Sequence, residues 1–451
     1  MPLLVQAWRN LWRNRGRSLL TGAVMAFAVS VMILFLGVGD GSHARLIRGA
    51  TDSWLGHLQV RHAAWEEDPG LASVVSPQAL QRLPELLSGI AGVQGFAPRL
   101  TAGALVTPKT TTPHALAPGA TAGGAATQGA LLVGVRPAAE ARVSTLAASL
   151  LPDDPAARCR FVASCQPARF LASSPPTRPP RAPADPGEAL VGSELAHLLG
   201  VGVGDELAAT SLGFDGRSYA RRLRVVGLVR TDSLELNRTA VFVDFDELSA
   251  DLGLQGAAAA VVIALTSPRR AEEVAATLGA RLTGPLAGLV ALPWSRLAPE
   301  LALLVALDQG ALLFLLILLV GVVGVIVANS VTMTAFERTR EFGVRLALGE
   351  PAARIGRGLV LETLLLTLGA CVVGAALGEA ANLYVQRFGI DFGLGEFEAT
   401  GVVLYTVYHS EPTWQGLGLA VGTVSGFALL GSLPPAWRLR RLSPVAALRT
   451  V

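Results

Sequence analysis

The sequence predicts a membrane protein of four transmembrane α-helices, with a large α+β extracytoplasmic domain inserted between the first and second. Three observations carry this. The chain has 451 residues, of which 51% are hydrophobic and only 16% charged, and a mean hydropathy of +0.48; soluble domains carry about 25% charged residues. The charge deficit is concentrated in four apolar stretches, each about as long as the roughly 20 residues a bilayer-crossing helix needs. Arginines gather beside the ends of those stretches in a way that orients all four.

Residues 1–17 read as a cytoplasmic amphipathic helix at the membrane interface. Leu3, Leu4, Ala7, Trp8, Leu11 and Trp12 share one helical face, and Arg9, Asn10, Arg13 and Asn14 lie opposite. Trp8 and Trp12 suit the headgroup level, and Arg9 and Arg13 suit anionic lipid. A plain extension of the first span is the alternative. That span, 18–39, contains no charge. It is longer than the 7–15 apolar residues of a signal peptide, and Gly37-Val38-Gly39 is a poor cleavage site, so a retained anchor is expected.

Residues 40–308 form the extracytoplasmic domain, in two subregions of about 40–150 and 188–295. A Gly/Ala/Thr-rich run at 117–130 and a Pro-rich linker at 173–187 should be loops or extended segments. The first subregion shows a strand-like Leu58–Arg61 and a helix near Pro77–Leu87. The second alternates: a strand at Ala189–Val191, a helix at Ser193–Leu199 capped by Ser193, and strands at Glu206–Ser211, Arg221–Leu228 and Ala240–Val243. A helix at Phe245–Leu252, a strand at Ala260–Leu265 and a helix at Pro268–Leu282 follow.

The remaining elements are the second span (309–336), a charged cytoplasmic helix and loop (337–357), the third span (358–378), a short outer loop (379–411), the fourth span (412–437) and a cytoplasmic tail (438–451). The segments before the first span, at 337–357 and after the fourth span carry +4, +2 and +4, while the rest of the chain carries −7 of a net +3. The positive-inside rule puts both termini and the 337–357 loop in the cytoplasm.

Enzymatic classes find little support. The one lysine, Lys109, stands against 36 arginines. It follows Pro108 with no glycine loop, so the chain lacks a phosphate-binding Walker motif; any ATP site belongs to a second polypeptide. Gly200–Gly204 leads into a strand and has no lysine. No Ser/His/Asp set or carboxylate pair has meaningful spacing, and no Cys/His cluster suggests a metal. His57 and His62 read as surface histidines. Cys159 and Cys165 flank Arg-Phe-Val-Ala-Ser and form either a disulfide or two free thiols; Cys371 lies within a span. No nucleic-acid partner is expected.

Residues 335–349 hold the most information. Glu337, Arg338, Arg340, Glu341 and Arg345 fall within one half of a helix. Phe336, Phe342, Leu346 and Ala347 fall on the other, with Val344 and Leu348 intruding on the charged side. Glu341 and Arg345 have the order of an i,i+4 pair. Such a helix either docks a soluble partner or only fixes topology. Gly374 and Gly378, and Gly418, Gly422 and Gly426, form small-residue ridges that pack helices within the chain or between two chains. Glu362, the acid inside the third span, is either a structural carboxylate near the boundary, paired with Arg357 or a neighbouring helix, or part of a proton relay.

These residues resemble the ABC transporter permeases of the FtsX-like, macrolide-exporter and lipoprotein-releasing type. The likeness rests on Trp8-Arg-Asn-Leu-Trp-Arg-Asn-Arg-Gly-Arg17, Gly56-His-Leu-Gln-Val60, Gly187–Ala196 with Val203-Gly-Asp205, Glu337–Gly349, and Pro435–Arg438 with Ser443–Arg449. The resemblance implies a permease subunit without its own ATPase, which acts on cargo outside the membrane by mechanotransmission, lipoprotein release being favoured by Gly56–Val60. A coupling helix would dock on an ATPase dimer through Glu337, Arg338, Thr339, Arg340, Glu341, Phe342, Gly343, Arg345, Leu346, Leu348 and Gly349. ATP and Mg would be bound by that ATPase, with none in this chain. The implied partners are a second permease chain, identical or related, membrane lipid, and lipoprotein cargo or a periplasmic protein. The implied location is the bacterial inner membrane. The alternatives are a non-transporting transducer that activates a cell-wall hydrolase and a membrane-anchored receptor without an ATPase.

Overall fold

The computed structural model describes residues 3–13, 15–66, 73–109, 127–151, 186–391, 397–399, 402–404 and 407–438. Cys159, Cys165 and most of both expected linkers lie outside them. The chain folds as two compact units: Met1–Ala44, Leu304–Gly395 and Tyr405–Val451 form one, Arg45–Leu303 and Glu396–Leu404 the other.

The first unit is helical. Its helices are α1 (Leu3–Arg13), α2 (Arg15–Ala50), α3 (Pro299–Glu337), α4 (Thr339–Ala347), α5 (Ala352–Phe388) and α6 (Trp414–Arg438). Residues 45–50 of α2 and 299–303 of α3 belong to the second unit. Among the described residues, four helices are long and apolar enough to cross a membrane, and they are α2, α3, α5 and α6. With 36, 39 and 37 residues, α2, α3 and α5 are longer than the apolar stretches that marked them. At about 1.5 Å per residue they far exceed the roughly 30 Å hydrocarbon core. Residues 379–388, expected in a loop, are the last turns of α5. Loss of apolar character marks where lipid ends, whereas backbone hydrogen bonding carries the helix on.

The glycine run at the end of the first expected span shows why α2 continues. A Cβ on Gly41 would lie 2.0 Å from the His409 carbonyl oxygen, and one on Gly37 2.4 Å from Ser410 Oγ. Gly41 therefore admits a neighbouring backbone, and Gly37 the Ser410 and Asn382 side chains, instead of ending the helix. Thr413 Oγ1 donates to Asp40 at 3.0 Å, and His43 Nε2 lies 2.6 Å from Asp308. Asn382, buried on α5, donates to the Ile33 carbonyl at 3.3 Å and accepts from Ser410 Oγ at 2.8 Å.

The helices differ in burial. Of the most apolar window, 39% is buried for α2 but 17% for α3, so α2 is central and α3 peripheral. Met25, Val29 and Met32 of α2 meet Val320, Val323 and Val327 of α3, Leu359 and Cys371 of α5, and Ala420, Val424 and Ala428 of α6 in one core. Phe314, Ile317 and Val325 of α3 are exposed, as lipid-facing side chains should be.

The second unit is α+β. Its strands are β1 (Leu58–His62), β2 (Val93–Pro108), β3 (Gln128–Val135), β4 (Leu150–Leu151), β5 (Gly187–Gly192), β6 (Glu206–Leu212), β7 (Ser218–Val229), β8 (Ala240–Asp244), β9 (Ala260–Leu265) and β10 (Leu289–Pro293). All ten share one sheet. The pairings β2–β3, β3–β8, β8–β5, β5–β7, β7–β6 and β6–β2 close on themselves. They form a six-stranded ring that leaves no free edge. Alternate residues fill its interior, among them Leu100, Leu132, Val191, Leu207, Val225 and Val241. The sixteen-residue β2 leaves this ring and pairs β9, which continues to β1 and β10. There the helices Pro77–Ser88 and Ala271–Arg281 cover Leu58, Val60 and Ile263.

Four expectations change in this unit. The division into 40–150 and 188–295 is one of chain order, because both lobes of the sheet draw strands from both halves. Residues 128–130 begin β3 instead of a loop, since Ala104 pairs with Ala130 and Leu105 with Gly129. Ser193 is the first helical residue and makes no capping bond; Gly192 is the cap, where a Cβ would lie 2.4 Å from the Asn237 carbonyl oxygen. His57 is buried, and its Nδ1 accepts from the Leu265 amide at 3.1 Å. Burial pushes its pKa down, opposed by Asp52. The buried Arg99–Glu140 pair, with Nη2 to Oε1 at 2.5 Å, joins β2 to the helical turn Pro137–Glu140, and Arg99 also donates to the Trp54 carbonyl and lies over the Trp54 ring at 4.6 Å.

Candidate functional site: a short charged helix and its polar support

The helix between α3 and α5 is shorter than its sequence pattern suggests. α3 runs through Glu337, and Arg338 interrupts regular geometry at φ −99°, ψ 8° before α4 begins at Thr339. The interruption is an elbow, because the Arg338 amide still reaches the Thr334 carbonyl (3.3 Å) and its carbonyl accepts from Phe342 (2.9 Å). At the far end, the Gly349 amide bonds the Leu346 carbonyl (3.1 Å) and the Glu350 amide the Arg345 carbonyl (3.0 Å). This is a Schellman stop. Gly349 has φ +87°, a conformation that glycine adopts without Cβ strain. Pro351, in extended geometry, is then the N-cap of α5.

Two of the side chains expected on the charged face are tied to the protein, Arg338 buried and Glu341 half-exposed. Arg338 is 5% exposed and its guanidinium bonds Glu362 of α5 at 3.0 Å and Glu341 at 3.2 Å. Arg338 also lies 5.4 Å over the Phe342 ring, itself buried. Glu341 bonds Arg13 of α1 at 2.6 Å. It therefore pairs with Arg13 and Arg338, not with Arg345 as the i,i+4 spacing suggests. The Arg13 hydrogen bond, reinforced by Arg338, holds the Glu341 carboxyl below its ordinary range. Glu362 takes Arg338 and Asn10 Nδ2 (3.4 Å) as partners, not Arg357.

The exposed side of α4 is a mixed stripe. Glu337, Arg340, Val344 and Leu348 recur at helical spacing and are all exposed, Leu348 by 83% and Val344 by 45%. Phe336, expected on the buried half, is exposed too. Phe342 and Gly343 are buried, and Thr339, Arg345 and Leu346 are half-buried. The two residues that intrude on the charged half are thus the apolar part of the exposed face. Val344 is the exposed apolar residue of this stripe that a charged-face reading leaves out, and its intrusion on the charged half is the available signal.

α1 packs on α5 through Ala7, with Asn10 turned toward the protein. Leu4, Trp8 and Trp12 form an exposed apolar stripe, with the two indoles 6.1 Å apart, and Arg9 and Arg13 are exposed. Between α1, α2, α3 and α5 lies a polar crevice lined by Asn10, Arg13, Thr21, Ser330, Thr334, Arg338, Glu362 and Thr363. Thr21 and Ser330 bond across it at 2.7 Å.

The two glycine ridges diverge. A Cβ on Gly374 would sit 2.5 Å from the Ala26 carbonyl oxygen, and one on Gly378 2.9 Å from Ile33 Cβ; Gly418, Gly422 and Gly426 have nothing within 4 Å. The motifs Gly56–Val60 and Gly187–Asp205 build turns and strands of the α+β unit. Gly56 has φ +67° and Gly204 φ +101°, and Asp205 accepts from the Gly202 amide at 2.9 Å. Among the described residues, no group of three His, Cys, Asp or Glu could hold a metal.

Residues 313–444 match the FtsX-like permease C-terminal family. The macrolide export ATP-binding/permease protein MacB of Syntrophobacter fumaroxidans is 33% identical over 135 residues, which are 30% of this chain and 16% of that protein. The lipoprotein-releasing system transmembrane protein LolC of Xylella fastidiosa strain Temecula1 is 25% identical over 281 residues, 58% of this chain and 65% of LolC. MacB of Nitrobacter winogradskyi is 34% identical over 131 residues, 29% of this chain and 17% of that protein. The chain thus spans about a sixth of the matched MacB relatives and just under two thirds of LolC.

Proposed function

We propose that this chain, whose residues 313–444 form an FtsX-like permease domain, is the membrane-spanning subunit of an ABC transporter and works with a separate ATPase. The observation that carries the reading is α4. It is a short helix between two apolar helices, with Arg340, Val344 and Leu348 exposed on one stripe and its other side held by Phe342 and Arg338. A rigidly backed helix with an apolar and charged stripe suits docking into a groove. In this reading the protein lies in a bacterial inner membrane, and the arginine distribution supports a cytoplasmic side for this helix and both termini, with the α+β unit outside.

ATP and Mg would be bound by the partner. Closure of an ATPase dimer would move α4 and, through the continuous backbone of α3, act on the α+β unit. The cargo class best supported is a lipoprotein released from the membrane. The LolC alignment covers 58% of this chain, against 30% for MacB, and so reaches beyond the permease domain. A second permease chain, identical or related, would complete the transporter.

The test is a pull-down in mild detergent of the tagged full chain beside an Arg340→Ala/Val344→Asp/Leu348→Asp variant, whose three substitutions all leave the buried side of α4 unaltered. A Walker-motif ATPase retained by the wild type and lost at least about tenfold in the variant, at about 1.4 kcal/mol per tenfold, is the expected result. A wild-type chain that is folded and retains no ATPase would overturn the reading.

A further inference from the structure

We propose that Asn10, Glu362, Arg338, Glu341 and Arg13 form a closed polar circuit that makes α1 a third support of the docking helix. Its buried inner half fixes the elbow between α3 and α4, and its solvent-facing outer half opens and closes as α4 is loaded. The proposal rests on the docking role of α4 and adds a load-bearing role for α1.

The circuit begins and ends on one helix. Asn10 and Arg13 lie one turn apart on α1 and so point to the same side. Asn10 donates to Glu362 of α5 at 3.4 Å, Glu362 accepts from Arg338 at 3.0 Å, Arg338 donates to Glu341 at 3.2 Å, and Glu341 accepts from Arg13 at 2.6 Å. Each carboxylate takes two donors, and Arg338 bridges the two acids.

Arg338 stands where α3 stops and α4 starts, so the angle between the span and the docking helix is held from outside the backbone. A carboxylate within an apolar helix is costly unless paired, and the Glu362 and Arg338 side chains are 13% and 7% exposed. Separating such a buried pair leaves an uncompensated charge out of water and is strongly unfavourable. The outer pair differs, since the Arg13 and Glu341 side chains are 52% and 42% exposed. Such a pair is screened by salt and opens readily. One device thus combines a fixed pivot with a releasable strut, and movement of α4 must either carry α1 along or break the strut.

The experiment is hydrogen–deuterium exchange on the full chain in nanodiscs containing anionic lipid, without the ATPase. A parallel pull-down from the same preparation scores ATPase retention. The expected result is that Arg13→Gln speeds exchange of residues 339–347 by about fivefold, the scale of an exposed pair. Arg13→Lys should restore the wild-type rate, and about 0.5 M salt should loosen the wild type but not the Arg13→Gln variant further. Glu362→Gln should loosen both 3–13 and 339–347 by about a hundredfold or more. If Arg13→Gln loosens α1 alone and leaves 339–347 at the wild-type rate while ATPase is retained, the circuit is overturned and docking stands. If 339–347 loosens as expected but the wild type retains no ATPase, docking falls and the loading half of the proposal falls with it.

Discussion

The two glycine ridges carry the same motif and have opposite surroundings. On α5, Gly374 and Gly378 let α2 approach until a Cβ would lie 2.5 Å from the Ala26 carbonyl oxygen and 2.9 Å from Ile33 Cβ. On α6, Gly418, Gly422 and Gly426 face open space, and packing falls to Ala420, Val424 and Ala428. Two residues along a helix is about 200°, so the packed stripe of α6 lies nearly opposite its glycine stripe. Small size permits close contact, but only a facing helix makes it, and alanine suffices where the backbones are slightly further apart.

The largest effect that tests this contrast is Gly374→Leu. The nearest obstacle is a backbone carbonyl, which cannot change rotamer, so the helices must separate. Overpacking of this kind costs about 3 kcal/mol. The thermal midpoint of the full chain in detergent should fall sharply, or the chain should lose its monodisperse elution peak. A midpoint within error of wild type would mean that α5 and α2 are not in contact there. Gly378→Ala comes next. Its nearest obstacle is the Ile33 side chain, which can shift in part, and the expected loss is about 1–2 kcal/mol. Gly378→Ala matching Gly374→Leu would show that the α2–α5 contact has no room to adjust.

How far the sequence reveals the site follows from the range of the interactions. The apolar helices were legible because hydropathy is local. The break at Arg338 was not, because Glu337-Arg338-Thr339 contains neither glycine nor proline, and the elbow is held by Glu362, 24 residues on. Glu362 itself was visible as an acid in an apolar span, but the sequence offered Arg357 or an unspecified neighbouring helix as its partner and could not single out Arg338 and Asn10. Glu341 had the right order for Arg345 and instead found Arg13, 328 residues away in the chain. In the α+β unit, β9 and β8 were legible from their β-branched runs, whereas closure of the ring depends on β2 meeting β6 about a hundred residues later. Gly192 and Gly41 stand where another backbone passes close, which no local pattern shows. Val344 and Leu348 were counted as exceptions to a charged face because a helical wheel alone does not say which half the protein covers.

The smallest effect falls on the open ridge and has the opposite sign. Gly422→Ala adds a methyl group where nothing lies within 4 Å and removes the conformational freedom of a glycine within a helix. The change should be neutral or stabilise the isolated chain by at most about 1 kcal/mol. Measured in dilute detergent, its thermal midpoint should match or slightly exceed wild type. The same variant in nanodiscs that hold the assembled transporter sharpens the comparison. An unchanged midpoint there means that the ridge faces lipid, whose chains adapt to a methyl group at little cost. A loss confined to the assembled state means that another helix lies against Gly418, Gly422 and Gly426 at the distance that α2 keeps from Gly374, and that the two ridges differ in which chain supplies the partner.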